Sequence, residues 1–473
     1  MSLSGRLATN TIIQSVGKIL SIALGWGVVL LLTNYLGAGG YGTYTIMTTY
    51  LQFFAVAIDL GLVLVSSQLF AEFTTDRQKV FSNVLAFRAV TALFALALAP
   101  LLVWLFPYSL LVKQGVVVLV LSFVCVAVLQ VFTGLFQQTL TIWRATIAEV
   151  LSRLVLLLAV VAAIATGRGI LFIALAVTVS SIVNVAVAAW LARPFVRLRF
   201  AYDSELWRLI WQRSWPIALG VVLNLVYLKA DTLILSFVRD EAEVGVYGAM
   251  YRVLEVLITF PTMFVGLLLP VLTAAWLTED KDRFRRITQN GFAAVCYFAF
   301  PIAVGVVMTA PRFTVYFGQE FVALGTPVLQ LLGIATGIIF IGTYFGHLIV
   351  AIGQQRKVLW AYAVAAAVSL FGYVIAIPRF GALGAASMTV AVELLIAVLL
   401  FGYLVSVGIR FRLASILPAM LATAVMVAWL IYASSFVLWL VIPFAVLVYT
   451  LVLFVSSPLV RQLFFDARTT FQK

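Results

Sequence analysis

An all-α polytopic membrane protein of about fourteen transmembrane helices is the fold the sequence predicts, and three observations predict it. Hydrophobic residues fill 64% of 473 positions and charged residues only 10%, far from the composition of a soluble globular chain. Apolar runs of roughly 20 residues, enough to cross a bilayer, recur from one end to the other. The basic residues then sort by side. Of 30 Lys and Arg, 23 fall on every second connection or the adjoining span ends, five (Lys113, Arg168, Arg239, Arg312, Arg379) on the intervening connections, and Lys229 and Arg252 within spans. This is the positive-inside pattern with both termini cytoplasmic, so the net charge of +13 needs no nucleic acid to explain it.

The first run, 12–36, is too long for a signal-peptide core and has no small-residue cleavage site, so it reads as the first span. The others are expected at 43–70, 82–106, 115–138, 146–166, 169–192, 215–238, 245–276, 287–310, 323–352, 357–378, 381–408, 414–434 and 436–456. Continuous apolarity argues for helices, because barrel strands alternate over about ten residues. The longest connection, Arg193 to Arg213, carries five arginines and two acids and divides the chain after six spans. Across it the two sides echo each other. GGYGTY from Gly39 follows span one and GVYGAMY from Gly245 follows span seven; GILFIALAVTVSS from Gly169 and GALGAASMTVAVE from Gly381 open the sixth span of each half, at offsets of 206 and 212. The expected organisation is a six-helix lobe over 1–200, a second over 201–410, and two added helices with a cytoplasmic tail over 411–473. Parallel repeats of this kind characterise transporters that rock two lobes around a central site.

Three stretches carry a resemblance. NTIIQSVGKIL followed by LTNYLGAGGYGTYTIMTTYLQFFAVAIDLGL, then KADTLILSFVRDEAEVGVYGAMYRVLE, then PRFGALGAASMTVAVE resemble the Wzx-type polysaccharide flippases of the multidrug/oligosaccharidyl-lipid/polysaccharide (MOP) exporter superfamily. The resemblance covers nearly the whole chain and includes span number and charge topology. It implies a MATE-like, V-shaped pair of six-helix lobes in the inner (cytoplasmic) membrane and alternating access. The implied cargo is an undecaprenyl-pyrophosphate-linked oligosaccharide moved from the inner to the outer leaflet, with coupling to an ion gradient. It also implies membrane lipids, a polysaccharide polymerase and other glycan-assembly proteins as partners. A cation-coupled multidrug or small-molecule antiporter of the same superfamily is the alternative.

No enzymatic constellation is visible, and no cofactor or metal motif. His347 is the only histidine, which argues against a serine or cysteine triad and an all-histidine metal site. Gly17-Lys18 lacks the upstream glycine of a phosphate-binding loop. A membrane glycan enzyme is disfavoured by outer loops of about a dozen residues or fewer. Cys125 and Cys296 lie far apart in apolar runs and read as small core residues.

The candidates are therefore the ionisable groups inside spans, where even the gentlest scale charges on the order of 3 kcal/mol for a central charge. Asn224 to Glu255 holds four of them around a short acidic turn: Lys229 and Asp231 before it, Arg252 and Glu255 after it, at matching depths of roughly 13–15 Å. Lys229 and Asp231, two residues apart, point to nearly opposite faces, whereas Arg252 and Glu255 share one. Lys229 and Arg252 are candidate contacts for an anionic cargo; the bland alternative is two ion pairs closing the outer end of the lobe. Arg88 and Arg153 enter spans three and five by roughly 10 Å. Facing a cavity they suit a pyrophosphate, because guanidinium matches phosphate oxygens bidentately; facing lipid they snorkel. Asp59, Asp231, Glu255 and Glu393 are candidate ion-coupling acids, since a desolvated carboxylate has a raised pKa and can carry a proton. The alternative for Asp59 and Glu393 is an acid that holds helices together.

Overall fold

The computed structural model describes residues 3–59, 62–73, 76–278 and 280–462, so the tail beyond 462 lies outside the described residues. In chain order the helices are α1 (Leu3–Asp59), α2 (Leu62–Glu72), α3 (Arg77–Leu102), α4 (Leu110–Gln138), α5 (Trp143–Ala165), α6 (Ile170–Ala192), α7 (Ser204–Val238), α8 (Glu241–Leu257), α9 (Thr259–Leu277), α10 (Lys281–Phe313), α11 (Val322–Ala351), α12 (Leu359–Ser406), α13 (Leu417–Tyr432) and α14 (Leu438–Ser456). No strand occurs among the described residues. Eleven helical stretches among them are long and apolar enough to cross a membrane. Two of the eleven, on α1 and α12, fold back on themselves, and α7 adds another pass, which gives the fourteen the sequence predicts.

Both reversals sit at glycines in the left-handed region: Gly37 at φ 66° and Gly381 at φ 57°. Only glycine enters that region without a side-chain penalty. The α12 hairpin is visible in its own contacts. The Tyr373 and Thr389 hydroxyls are 3.4 Å apart, and Met388 packs over Gly372; in a straight helix residues 372 and 388 would be about 24 Å apart. In α1 the half before Gly37 runs beside α5, with Lys18 on Glu149 and the Tyr35 hydroxyl on the Arg168 carbonyl at 3.0 Å. The half after it turns back, and Tyr50 reaches the Ala99 carbonyl near the end of α3 at 3.0 Å.

The expected span 245–276 is in fact two helices, α8 and α9, separated at Ile258. Pro261 causes the break, because its ring removes a backbone donor and crowds the carbonyl four residues back. Acidic residues cap the helices that follow turns: Asp203 accepts from the Glu205 and Leu206 amides at the head of α7, and Asp280 from the Arg283 amide at the head of α10. Each cap satisfies donors that a helix start leaves open.

The chain divides into two compact units, 1–245 and 246–473. In the first, α4 packs on α6, α3 and α1, and α5 on α1 and α6. Short polar links tie the apolar faces together: Thr178 to the Val118 carbonyl at 2.9 Å, and Ser180 to the Ser152 carbonyl at 2.9 Å. Helix α7, which the repeat assigns to the later lobe, packs on α1, α2 and α3; the boundary at 200 rests on the repeat alone. In the second unit α11 lies between α10 and α12. Gly333 and Gly337 of α11 meet Val306 and Ala303 of α10, the close helix contact that small residues permit in membranes. The added helices α13 and α14 anchor on α10, where Tyr449 donates to the Tyr297 carbonyl at 2.6 Å and the Tyr297 and Ser457 hydroxyls are 3.0 Å apart. Large apolar side chains such as Leu105 and Val455, 78% and 74% exposed, point outward, as a lipid-facing surface requires.

Candidate functional site

In the first unit the intramembrane charges lie at separate places on α1, α3, α5 and α7. Arg88 on α3 is buried, its Nε donating to the Ala127 carbonyl at 3.1 Å and its Nη2 to Gln130 Oε1. It bridges α3 and α4 through the interior of the unit, and neither snorkels to a headgroup nor stands open to solvent. Arg153 is half-buried on α5, one helical turn beyond Glu149. Glu149 takes Lys18 Nζ at 3.2 Å and Ser21 Oγ at 2.7 Å from α1, with Arg153 within electrostatic range. The cluster Lys18, Ser21, Glu149 and Arg153 thus carries a net +1 on two facing helices. Sequence reasoning missed Lys18 and Glu149 as partners because they are 131 residues apart; the available signal was the i,i+4 spacing of Glu149 and Arg153 inside one span.

On α7, Asp231 is buried and its Oδ1 accepts from the Thr232 amide at 2.5 Å and the Thr232 hydroxyl at 3.1 Å. Lys229 is half-buried. Asp59 ends α1, and its side chain lies outside the described residues.

At the far end of α7 the turn is shorter than expected, only Arg239 and Asp240. Glu241, first residue of α8, accepts from the Thr43 hydroxyl of α1 at 2.5 Å and from the Ser109 hydroxyl, before α4, at 2.8 Å. Beside it the Tyr108 hydroxyl meets Ser236 Oγ at 2.8 Å, and the rings of Phe106 and Tyr108 stack on Phe237 at 5.3 and 5.5 Å. Burial holds the Tyr108 phenol well above its ordinary pKa, so it stays neutral and available as a donor.

In the second unit Arg252 and Glu255 form an ion pair at 2.6 Å on one face of α8, with side chains 39% and 23% exposed. Glu393 on α12 is buried and lies within electrostatic range of Tyr362. His347 Nδ1 is 2.9 Å from the Thr343 carbonyl one turn back on α11, a satisfied position in its own helix. Each unit therefore places half-buried cations beside acids.

Comparison with known proteins places this geometry. A family model described as polysaccharide biosynthesis protein matches residues 7–276. A curated relative, the probable flippase AglR of Haloferax volcanii, is 26% identical over 113 residues, which span 24% of this chain and 22% of that protein. Among solved structures, the lipid II flippase MurJ in an inward closed conformation aligns with a TM-score of 0.78 at 14% identity, covering 94% of this chain and 98% of its own. An inward-facing multidrug resistance MATE family transporter of the MOP superfamily aligns at 0.68 and 14%, covering 83% and 96%. With 94% and 83% of the chain superposing on these two transporters and the family model spanning more than half of the sequence, the protein is a multi-pass membrane protein that shares their fold and belongs to the polysaccharide biosynthesis protein family.

Proposed function

We propose that the protein is a flippase that moves a lipid-linked oligosaccharide, carried on undecaprenyl pyrophosphate, from the inner to the outer leaflet by alternating access coupled to an ion gradient. The observation that carries this reading is the family match over 7–276. The fourteen-pass architecture supports it against the multidrug antiporter reading, since the MATE transporter aligns with 83% of the chain and MurJ with 94%. In this reading Lys229, Arg252 and Arg153 attract the pyrophosphate, and Asp59, Asp231, Glu255 and Glu393 are the acids that load and release the coupling ion. Arg88 joins the cargo contacts only if it exchanges its bonds to Ala127 and Gln130 during the cycle. The working orientation follows the basic residues: both termini cytoplasmic, in the inner membrane, with Asp240 outside.

The test is reconstitution. Proteoliposomes holding the purified protein and a fluorescent polyprenyl-pyrophosphate oligosaccharide should move the label between leaflets faster than protein-free vesicles, and an imposed ion gradient should raise the rate. Reporter fusions at Arg199 and Arg283 should read cytoplasmic and one at Asp240 external. Drug efflux without lipid-linked sugar movement would replace the flippase reading with the antiporter.

A further inference from the structure

The connection between α6 and α7 borders an open recess. Its residues Arg193, Arg197 and Arg199 line a recess of about 400 Å³ together with Gln78, Phe195 and Val196, within the roughly 300–1,000 Å³ typical of small-molecule sites. The recess wall is fixed in four ways. Gln78, in the first turn of α3, binds the Arg197 backbone twice: its Nε2 donates to the carbonyl and its Oε1 accepts from the amide, both at 2.7 Å. Val196 is buried in the apolar core of the unit. Phe195 lies under the Arg144 guanidinium at 4.7 Å. Farther along, the Ala201 amide donates to the Ser82 carbonyl at 3.3 Å.

Three guanidiniums are thus held on a clamped seven-residue stretch, and among the described residues no acid pairs with any of them. The acid nearest in sequence is engaged elsewhere: Asp203 pairs with Lys79 at 2.7 Å. Like charges gathered without a counter-charge repel one another, and a fixed backbone prevents them from spreading apart. In and just after this stretch apolar side chains stay largely exposed: Leu198 is 51% exposed, and Phe200 and Tyr202 73% each, Tyr202 with one edge on Trp207. Aromatic and apolar groups alternating with arginine suit the interface of a bilayer, where rings sit at headgroup level. Arginine binds phosphate oxygens bidentately, and basic pockets beside transmembrane helices take anionic lipid headgroups.

We propose that the recess of Arg193, Arg197 and Arg199 binds the phosphate of an anionic glycerophospholipid from the surrounding leaflet, with Leu198, Phe200 and Tyr202 against its glycerol and upper acyl region. The site is separate from the intramembrane charges and does not depend on what the protein transports. A lipid there pins the connection to the membrane surface at the point where the two sequence repeats join.

Native mass spectrometry of the full-length protein in micelles, titrated with phosphatidylglycerol or phosphatidylcholine, tests this. Wild type should retain phosphatidylglycerol in preference to phosphatidylcholine. At about a fivefold effect per arginine near a charged surface, the triple variant Arg193→Gln, Arg197→Gln, Arg199→Gln should bind phosphatidylglycerol on the order of 100-fold more weakly. Millimolar inorganic phosphate should leave the bound lipid in place. Equal retention by wild type and variant, or equal retention of both lipids, overturns the proposal, and displacement by inorganic phosphate overturns it in favour of a free-phosphate site. Should the triple variant fail to fold, Arg199→Gln alone serves, since that side chain is exposed and has no partner among the described residues. It should weaken lipid retention about fivefold, and an unchanged affinity counts against the site.

Discussion

Gly42 of α1 and Gly245 of α8 pack backbone to backbone. A Cβ placed on Gly245 would stand 2.7 Å from the Gly42 nitrogen and 2.0 Å from the Ala38 carbonyl oxygen, and one on Gly42 would stand 1.5 Å from the Glu241 carbonyl oxygen. Both glycines come from the two stretches that echo each other in the sequence. One turn away, Glu241 is clasped by Thr43 and Ser109, so an apposition of bare helix backbones and a pair of charge-assisted hydrogen bonds close the same end of the unit.

Gly42→Ala and Gly245→Ala should therefore each force the helices apart and lower the melting temperature of the purified protein, with a cost of about 1–3 kcal/mol for overpacking. Gly266→Ala is the control. Nothing lies within 4 Å of a Cβ there, and relief of glycine's backbone entropy predicts a gain of about 0.4–1 kcal/mol. Three equal melting temperatures would mean that the glycine contact does not hold this end together.

Arg88→Leu should destabilise through α3 and α4, because it leaves Gln130 Oε1 without its donor. An unsatisfied buried polar group costs about 1–3 kcal/mol. Replacing Gln130 as well, in Arg88→Leu with Gln130→Leu, should recover part of the loss. A single variant as stable as wild type but unable to transport would instead make Arg88 a cargo contact.

A pH effect is expected where Asp203 meets Lys79 and caps α7. The ammonium of Lys79, then the amides of Leu206 and Glu205, hold the Asp203 carboxyl below its ordinary pKa. A depressed folded-state value stabilises the folded form above the unfolded pKa and loses that contribution as pH falls through the folded value. The melting temperature should therefore drop on acidification below the usual carboxylate range. Asp203→Asn keeps a capping oxygen and should flatten this dependence, whereas Asp203→Ala should lose the cap at every pH. An unchanged pH profile in Asp203→Asn would assign the acid sensitivity to another carboxylate.

The passes were legible because each needs only a run of apolar residues, and the breaks at 37–42 and 379–381 announced themselves by glycine. The split at Ile258 was not, although Pro261 marked it, since proline also occurs inside unbroken helices here, at Pro301 in α10 and Pro327 in α11. Partnerships between helices were the least legible. Lys18 with Glu149, Arg88 with Gln130 and Thr43 with Glu241 depend on the relative rotation and register of separate helices, which periodicity along one helix does not specify. Within a helix the reading succeeded: Arg252 and Glu255, three residues apart, were assigned one face and form an ion pair.

That pair makes the last prediction. Arg252 and Glu255 are linked at 2.6 Å but remain 39% and 23% exposed, so they resemble a wet pair, worth about 0–1 kcal/mol. They differ from a dry one, whose breakage costs about 3–5 kcal/mol. Arg252→Gln should accordingly leave the protein inserted and abundant. If Arg252 draws the pyrophosphate, transport should nonetheless fall, and Glu255→Gln added to it should not restore the rate. Lys229→Gln is the parallel case on α7, and Lys229→Glu is the sharper one, because an acid facing an anionic cargo repels it and should abolish transport without loss of protein. The structural alternative predicts the opposite pattern: poor expression of Arg252→Gln, rescued by neutralising Glu255. Abundant Lys229→Glu protein with a wild-type transport rate would remove Lys229 from the cargo path.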